Sequence, residues 1–257
     1  MTQVHKEIKK AEDETTDIIC VIDRSTSIKT SGLVESTIEG FNAFLSEQKK
    51  AVGKAKLTLC LFDGGVGYGA VPGKTYEIIH DRVDIQSVPE LNTETYVPKG
   101  MTAMYDAIGV TIDTVYNQWK DSAEKPDKVV FLIMTDGMEN ASQEYTQKTV
   151  FEAITKRKTD DNWVFLFIGA NINTMEAGAG LGISKGNTMA YSNSSRGVST
   201  GYSNIAVGVS SLRSKSKDEL FGFAGVTGSV GFEGPAGLDS ILKDNGVEKE
   251  DLDGNKY

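Results

Sequence analysis

The chain has 257 residues, 39% apolar and 25% charged, which is long enough for one α/β core with residues to spare. Its formal net charge of −9 argues against nucleic acids and acidic membranes as partners, because phosphate binding needs a basic surface. No apolar run reaches the roughly 18 residues of a membrane span, so the sequence predicts none.

The amino terminus is charged and lacks the apolar stretch of a signal peptide. Residues 1–15 therefore predict a loose N-terminal arm and cytoplasmic synthesis, which leaves incorporation into a virion open. An apolar run then predicts a first buried strand over 17–23. A helix is predicted over about 31–50, because its apolar residues recur at helical spacing. These residues are Val34, Ile38, Phe41 and Leu45.

A second strand is predicted over 57–62, followed by a glycine-rich hairpin turn at 64–67 and a return strand to about residue 79. Residues 80–101 are then predicted to form a long loop with two prolines. Loops of this length in compact domains are often functional.

From this loop onward, strands and helices alternate, which predicts a doubly wound, mostly parallel sheet with helices on both faces, an α/β fold. Helices are predicted over 103–119, 146–158, 174–181 and 197–213, and strands over 129–134, 163–168 and 188–191.

The last part of the chain, residues 214–257, differs in composition from the domain predicted over 16–213. It is polar first, then mixes glycine with phenylalanine and valine, and ends acidic. We expect residues 220–242 to pack on the domain edge or on another subunit, which would allow a homo-oligomer or a larger assembly. Only the acidic end is expected to be mobile.

Five oxygen-bearing side chains in three separated pieces predict one metal site. Asp23, Ser25 and Ser27 follow the first strand, Thr102 follows the long loop, and Asp136 follows the strand at 129–134. Open α/β sheets bind ligands at the carboxyl ends of their strands. Two carboxylates and three hydroxyls suit Mg²⁺, with Mn²⁺ or Ca²⁺ as alternatives. Taken singly, each piece also fits an ordinary turn or helix cap.

Three further polar residues, Asp63, Glu139 and Asn140, lie near these pieces in the sequence. Asp63 follows the second strand and fits either a ligand or, more simply, a turn residue before two glycines. Glu139 and Asn140 lie beside Asp136 and are interpreted as rim or helix-capping residues rather than ligands.

The ordered pattern resembles the von Willebrand factor A domain and its metal-ion-dependent adhesion site, whose signature is Asp-x-Ser-x-Ser, a distant Thr and a distant Asp. The resemblance covers about residues 16–212. Thr26 stands where the family usually has glycine and Ile28 where it usually has methionine. Longer stretches are similar to stand-alone A-domain proteins of bacteria and bacteriophages, at residues 21–25, 40–45, 94–98, 105–109, 135–142 and 167–171.

The resemblance implies roles for the site residues. Asp23 and Asp136 often act through water in this family, and Thr102 is a direct ligand in one state and withdraws in another. The remaining coordination position is open, and an Asp or Glu of a protein partner would fill it. The implied strand order also makes the strands of Cys20 and Cys60 neighbours. We expect both cysteines to be reduced core residues, although a disulfide is geometrically conceivable.

Enzyme chemistry has little support in the sequence. A phosphatase of the haloacid dehalogenase type needs a second Asp where Ser25 stands, and His5 and His80 lie away from any Ser/Asp pair. No phosphate-binding glycine motif opens a helix after a strand. The leading hypothesis is a non-catalytic, Mg²⁺-dependent protein-binding module of bacteriophage or bacterial origin. The alternative is a structural component of a virion or other assembly, and a metal-dependent hydrolase ranks third.

Overall fold

The computed structural model describes residues 10–65, 75–120, 122–170, 173–221 and 238–247. These residues form a six-stranded sheet with the order β3-β2-β1-β4-β5-β6. Every pair of neighbouring strands is parallel except β2 and β3, which are antiparallel. The strands are β1 (Thr15–Asp23), β2 (Lys54–Phe62), β3 (Tyr76–Asp84), β4 (Lys128–Thr135), β5 (Val164–Gly169) and β6 (Thr188–Ala190).

Helices cover both faces of this sheet, which confirms the predicted α/β class. The described helices are α1 (Thr26–Thr30), α2 (Val34–Lys50), α3 (Met104–Lys120), α4 (Gln147–Asp161), α5 (Thr174–Gly180), α6 (Ser195–Ser214), α7 (Lys217–Phe221) and α8 (Leu238–Asp244). One buried cluster joins β1 to α2 and α6, and a second joins the opposite face of β1 to α3 and α4. The alternation of side chains along each strand supplies both clusters.

Strand order reverses at β1, because the chain runs from β1 to β2 on one side and later places β4 on the other side. The carboxyl ends of β1 and β4 therefore flank a crevice at a topological switch point, where α/β sheets bind ligands. Asp23 is the last residue of β1, and Asp136 directly follows β4.

Two predicted boundaries differ from the observed ones. The helix predicted over 31–50 begins later, as α2 at Val34, because Gly32 adopts a positive φ of 69° that an α-helix does not contain, and the short helix α1 before it was not predicted. The loop predicted over 80–101 is shorter, because β3 continues to Asp84 and a 3-10 turn follows at Ile85–Ser87. His80 consequently lies in a strand, opposite Leu59 of β2. His5 lies outside the described residues.

The segments beyond the predicted domain boundaries make buried contacts with the sheet. Glu14 is 3% exposed and pairs with Lys128 at 3.1 Å, and β1 begins at Thr15 within the predicted arm. At the other end, Leu220 and Leu242 are buried in the cluster on the α2 and α6 face. The rest of the predicted packing segment, residues 222–237, and the acidic end from residue 248 lie outside the described residues.

Both cysteines are free and buried. In the β1–β2 register, Cys20 is opposite Leu59, whereas Cys60 is opposite Val21. The two thiols thus point to opposite faces of the sheet and belong to different clusters, so the conceivable disulfide does not form. Within the described ranges, no helix has the length and apolar character that crossing a membrane requires.

Candidate metal centre

The structure brings the five predicted site residues together at the carboxyl edge of β1 and β4. Ser27 Oγ donates a hydrogen bond of 2.7 Å to Asp136 Oδ1. Since this uses the only proton of Ser27, the 2.8 Å bond between the two serine hydroxyls is donated by Ser25 Oγ. Asp23 joins the same cluster, because its Oδ1 accepts the backbone N–H of Ser25 at 2.7 Å.

Thr102 reaches the site from the loop before α3. A Cβ built on Gly137 would lie 3.5 Å from Thr102 Oγ1 and 4.0 Å from Ser27 Oγ. Both hydroxyls therefore face the small space beside Gly137, which directly follows Asp136. A side chain at position 137 would narrow this space, so glycine here keeps the hydroxyl oxygens accessible.

Asp23 is held rigidly by residues that the sequence did not single out. Thr135 Oγ1 donates to Asp23 Oδ2 at 2.6 Å, so both carboxylate oxygens already accept a hydrogen bond. The buried Tyr96 hydroxyl donates to the backbone oxygen of Asp23. Asp23 is thus held at the end of β1 by hydrogen bonds to its carboxylate and to its backbone oxygen.

Asp136 differs from Asp23, because one of its oxygens has no hydrogen-bond partner. Asp136 is 1% exposed, and its buried Oδ2 has no partner among the described groups. An unpartnered buried carboxylate oxygen is costly unless an ion or water satisfies it. The residues present therefore fit a hard cation, which would take oxygen ligands from Asp136, the two serines and Thr102.

The raised pKa values of Asp23 and Asp136 also favour a bound cation at this site. Burial, together with the charge of Asp136, raises the pKa of Asp23 from 3.8 to about 7. Burial also raises the pKa of Asp136. A divalent cation between the carboxylates would offset both effects by favouring their charged forms.

The donor set is unlike the usual clusters of strongly ligating side chains. In the part of the chain that the structure describes, no three His, Cys, Asp or Glu side chains are grouped as metal ligands. Any metal at this centre would therefore depend on two carboxylates and on neutral hydroxyls. Hydroxyl and carboxylate oxygens favour Mg²⁺, Mn²⁺ or Ca²⁺ over softer metals.

Asp63 does not join the oxygen cluster. Its Oδ1 accepts the backbone N–H of Gly65, which confirms the predicted turn role. Its Oδ2 also lies 3.1 Å from Arg24 Nε, in a buried ion pair that sequence reasoning missed. Arg24 and Asp63 are separated by 39 residues, so only the parallel pairing of β1 and β2 brings them together. The pair connects the loop after β1 to the end of β2.

Glu139 and Asn140 support the site without belonging to it, as interpreted from the sequence. Glu139 accepts the backbone N–H groups of Tyr105, Ala141 and Ser142, which connects the loop after β4 to the start of α3. Asn140 makes two bonds to the backbone of Thr102: its Oδ1 accepts the Thr102 N–H at 2.9 Å, and its N–H donates to the Thr102 oxygen at 3.0 Å. Asn140 thereby couples the Thr102 loop to the Asp136 loop.

We expect Asn140→Ala to weaken Mg²⁺ binding about fivefold, because the Thr102 loop loses one hydrogen bond worth about 1 kcal/mol. Calorimetric titration of Mg²⁺ checks this result. Asn117→Ala, an exposed asparagine on α3, is the matched control and should bind Mg²⁺ like the unmodified chain. Equal Mg²⁺ affinity for the two variants would show that Asn140 does not position Thr102.

Comparison with solved structures identifies the fold. A structure of proximal thread matrix protein 1 from the mussel byssus has a TM-score of 0.51 and 15% identity, covering 80% of this chain and 47% of its own. A second structure of that protein, with a zinc-occupied MIDAS motif, has a TM-score of 0.52. The open conformation of the pilus adhesin SpaC from Lactobacillus rhamnosus GG has a TM-score of 0.54 and 13% identity, covering 80% of this chain and 31% of its own.

The chain thus spans about half the length of the mussel structures that it matches. No protein-family model matches the sequence, and no curated protein matches it. At these identities the similarity concerns the fold. The mostly parallel six-stranded sheet with helices on both faces has a von Willebrand factor A-like fold.

Proposed function

We propose that this chain is a non-catalytic protein-binding module whose binding depends on a divalent ion, with Mg²⁺ as the ion. The observation that carries the proposal is the buried, unpartnered Asp136 Oδ2 beside the linked hydroxyls of Ser25 and Ser27. Asp136, Ser25, Ser27 and Thr102 would hold the ion, and Asp23 would act through water. When bound, the ion supplies a position that accepts a further oxygen ligand.

The partner in this proposal is a protein that presents an Asp or Glu. An open position on a hard cation prefers an anionic oxygen, and the carboxylate is the anionic oxygen group that protein side chains offer. The neighbouring structures support an adhesive role: one mussel structure carries a zinc-occupied MIDAS motif, and SpaC is a pilus adhesin. Bacterial or phage origin, a cytoplasmic location and the virion alternative stay predictions from the sequence.

The non-catalytic part of the proposal is supported by the position of His80, the histidine within the described residues. His80 lies in the middle of β3, an edge strand separated from β1 by β2. Ser25 and Ser27 follow β1, and their hydroxyls contact each other and Asp136 rather than an imidazole. Within the described residues, neither serine therefore lies beside a histidine that could serve as its general base.

Calorimetry with Mg²⁺ and Mn²⁺ tests the site directly. We expect one ion to bind the unmodified chain and none to bind Asp136→Ala, whereas Asp160→Ala, an exposed Asp on α4, keeps full affinity. If the ion binds the native state alone, saturation at about 100 times the Kd adds about 2.7 kcal/mol of stability. Equal affinity in the two variants would reject the metal centre, and partner binding that survives a chelator would reject the proposed function.

A further inference from the structure

Exposed apolar side chains are concentrated around the metal centre. In the described part of the chain, five large apolar side chains are exposed, and three of them lie in the loops that carry Thr102 and Asp136. Val97 is 48% exposed, Met101 39% and Met138 72%. Isolated apolar side chains on a surface need no explanation, but several around one site indicate an interaction surface.

Contacts between the loops bring the segments that carry these side chains close to the hydroxyl cluster. Met101 directly precedes Thr102. Met138 directly follows Gly137, and a Cβ added to that glycine would lie 3.5 Å from Thr102 Oγ1. The segment of Val97 is fixed on the same side, because the adjacent Tyr96 hydroxyl donates to the backbone oxygen of Asp23. The two methionines thus belong to segments that meet at Thr102. We call Val97, Met101 and Met138 the apolar rim.

Several charged side chains near the centre already have partners within the protein. Arg24 contacts Asp63 and Glu77 at 3.1 Å each, and Lys99 lies 3.9 Å from Asp63. Both carboxylate oxygens of Glu139 accept hydrogen bonds from the protein. A divalent ion would balance Asp23 and Asp136, which leaves no excess positive charge from these groups to attract several acids.

The whole chain repels a strongly acidic partner as well, because its formal net charge is −9. One partner carboxylate suffices for the open position on the ion. The surface around that carboxylate would contact the apolar rim, and methionine adapts well to partners of different shape. The charge balance and the exposed rim therefore favour a single acid with apolar neighbours over an acidic cluster.

We propose that the apolar rim selects a partner segment in which one Asp or Glu is flanked by apolar side chains. This inference rests on the proposed function, since the acid would bind at the metal centre. The rim supplies apolar contact area, which adds affinity and distinguishes partners that present the same carboxylate.

Three peptides with protected ends test the selection: Gly-Leu-Glu-Leu-Gly, Gly-Ser-Glu-Ser-Gly and Gly-Glu-Glu-Glu-Gly. Their affinities for the full chain are measured by NMR titration in saturating Mg²⁺. We expect the leucine-flanked peptide to bind about tenfold more tightly than the other two. The double variant Met101→Gln with Met138→Gln should lose this tenfold preference while its Mg²⁺ affinity, measured alone, is unchanged.

Val52→Gln is the matched control, because Val52 is 54% exposed and lies before β2, at the opposite end of the sheet from the centre. This variant should keep the preference. Equal binding of the three peptides, binding of none of them, or a preference that survives in the double variant would overturn the inference. Failure of the proposed function would be distinguished from these outcomes, because the unmodified chain would then not bind Mg²⁺.

Discussion

Replacing Arg213 with methionine is expected to lower the free energy of unfolding by about 3 kcal/mol or more. The Arg213 side chain is 1% exposed and donates to the backbone oxygens of Gln48 and Gly53, the latter at 2.8 Å. Burial lowers the pKa of Arg213 to about 10, so the guanidinium stays charged at neutral pH. Its removal would leave the buried Gln48 carbonyl and the partly buried Gly53 carbonyl without this donor.

The location of Arg213 explains why its replacement should lower the free energy of unfolding by a large amount. Gln48 lies in the last turn of α2, where carbonyl groups have no partner within the helix and the helix dipole is negative. The positively charged guanidinium of Arg213, near the end of α6, donates hydrogen bonds at the carboxyl end of α2 and so links the two helices. Methionine fills a similar volume, so packing is largely preserved. Because methionine donates no hydrogen bond, the carbonyl groups lose their donor.

Urea unfolding followed by circular dichroism measures this effect. Arg196→Met is the matched control, because Arg196 lies on the same helix with an exposed side chain, where substitutions change stability by about 0.5 kcal/mol or less. We expect the unfolding midpoint of Arg213→Met to lie well below that of the control. Coinciding midpoints would show that water replaces the guanidinium at little cost.

The sequence predicted the fold well where one local pattern decides the structure. Continuous apolar runs identified β1 and β4, because strands buried on both faces need no polar alternation. The stripe through Ile38 and Phe41 identified α2, and both residues are buried. The edge strand β3 was predicted too short, because its half-exposed, partly charged residues give no apolar run.

In the candidate site, too, the residues marked by a local sequence pattern were predicted, and the contacts between distant residues were not. Its five side chains were found because each follows an identifiable strand or loop and the order matches a known signature. The supporting contacts from Arg24 to Asp63 and from Asn140 to Thr102 span 39 and 38 residues. Such partners depend on strand pairing and loop packing, which composition and periodicity do not encode.

Metal-free protein is expected to lose stability as the pH rises from about 4 to about 8. The folded chain keeps a proton on Asp23 that the unfolded chain releases, because burial and the charge of Asp136 raise the pKa of Asp23 from 3.8 to about 7. The stability linked to that proton is present below about pH 4 and is lost as the pH passes through about 7. This rise in pKa corresponds to about 4 kcal/mol.

Asp23→Asn tests this expectation, since asparagine keeps the shape of the side chain and an acceptor for the Ser25 N–H without ionising. With a chelator present, the Tm of the unmodified chain should fall between pH 5 and pH 8, while the Tm of the variant changes much less. At pH 8 the variant should be the more stable of the two. Adding Mg²⁺ at pH 8 should then raise the Tm of the unmodified chain more than the Tm of the variant, because the variant keeps Asp136 but lacks the carboxylate charge of Asp23 that the ion would offset. Asp160→Asn, at an exposed position on α4, should follow the unmodified chain at every pH. Parallel pH profiles for the unmodified chain and Asp23→Asn would show that Asp23 is ionised in the folded protein without a metal.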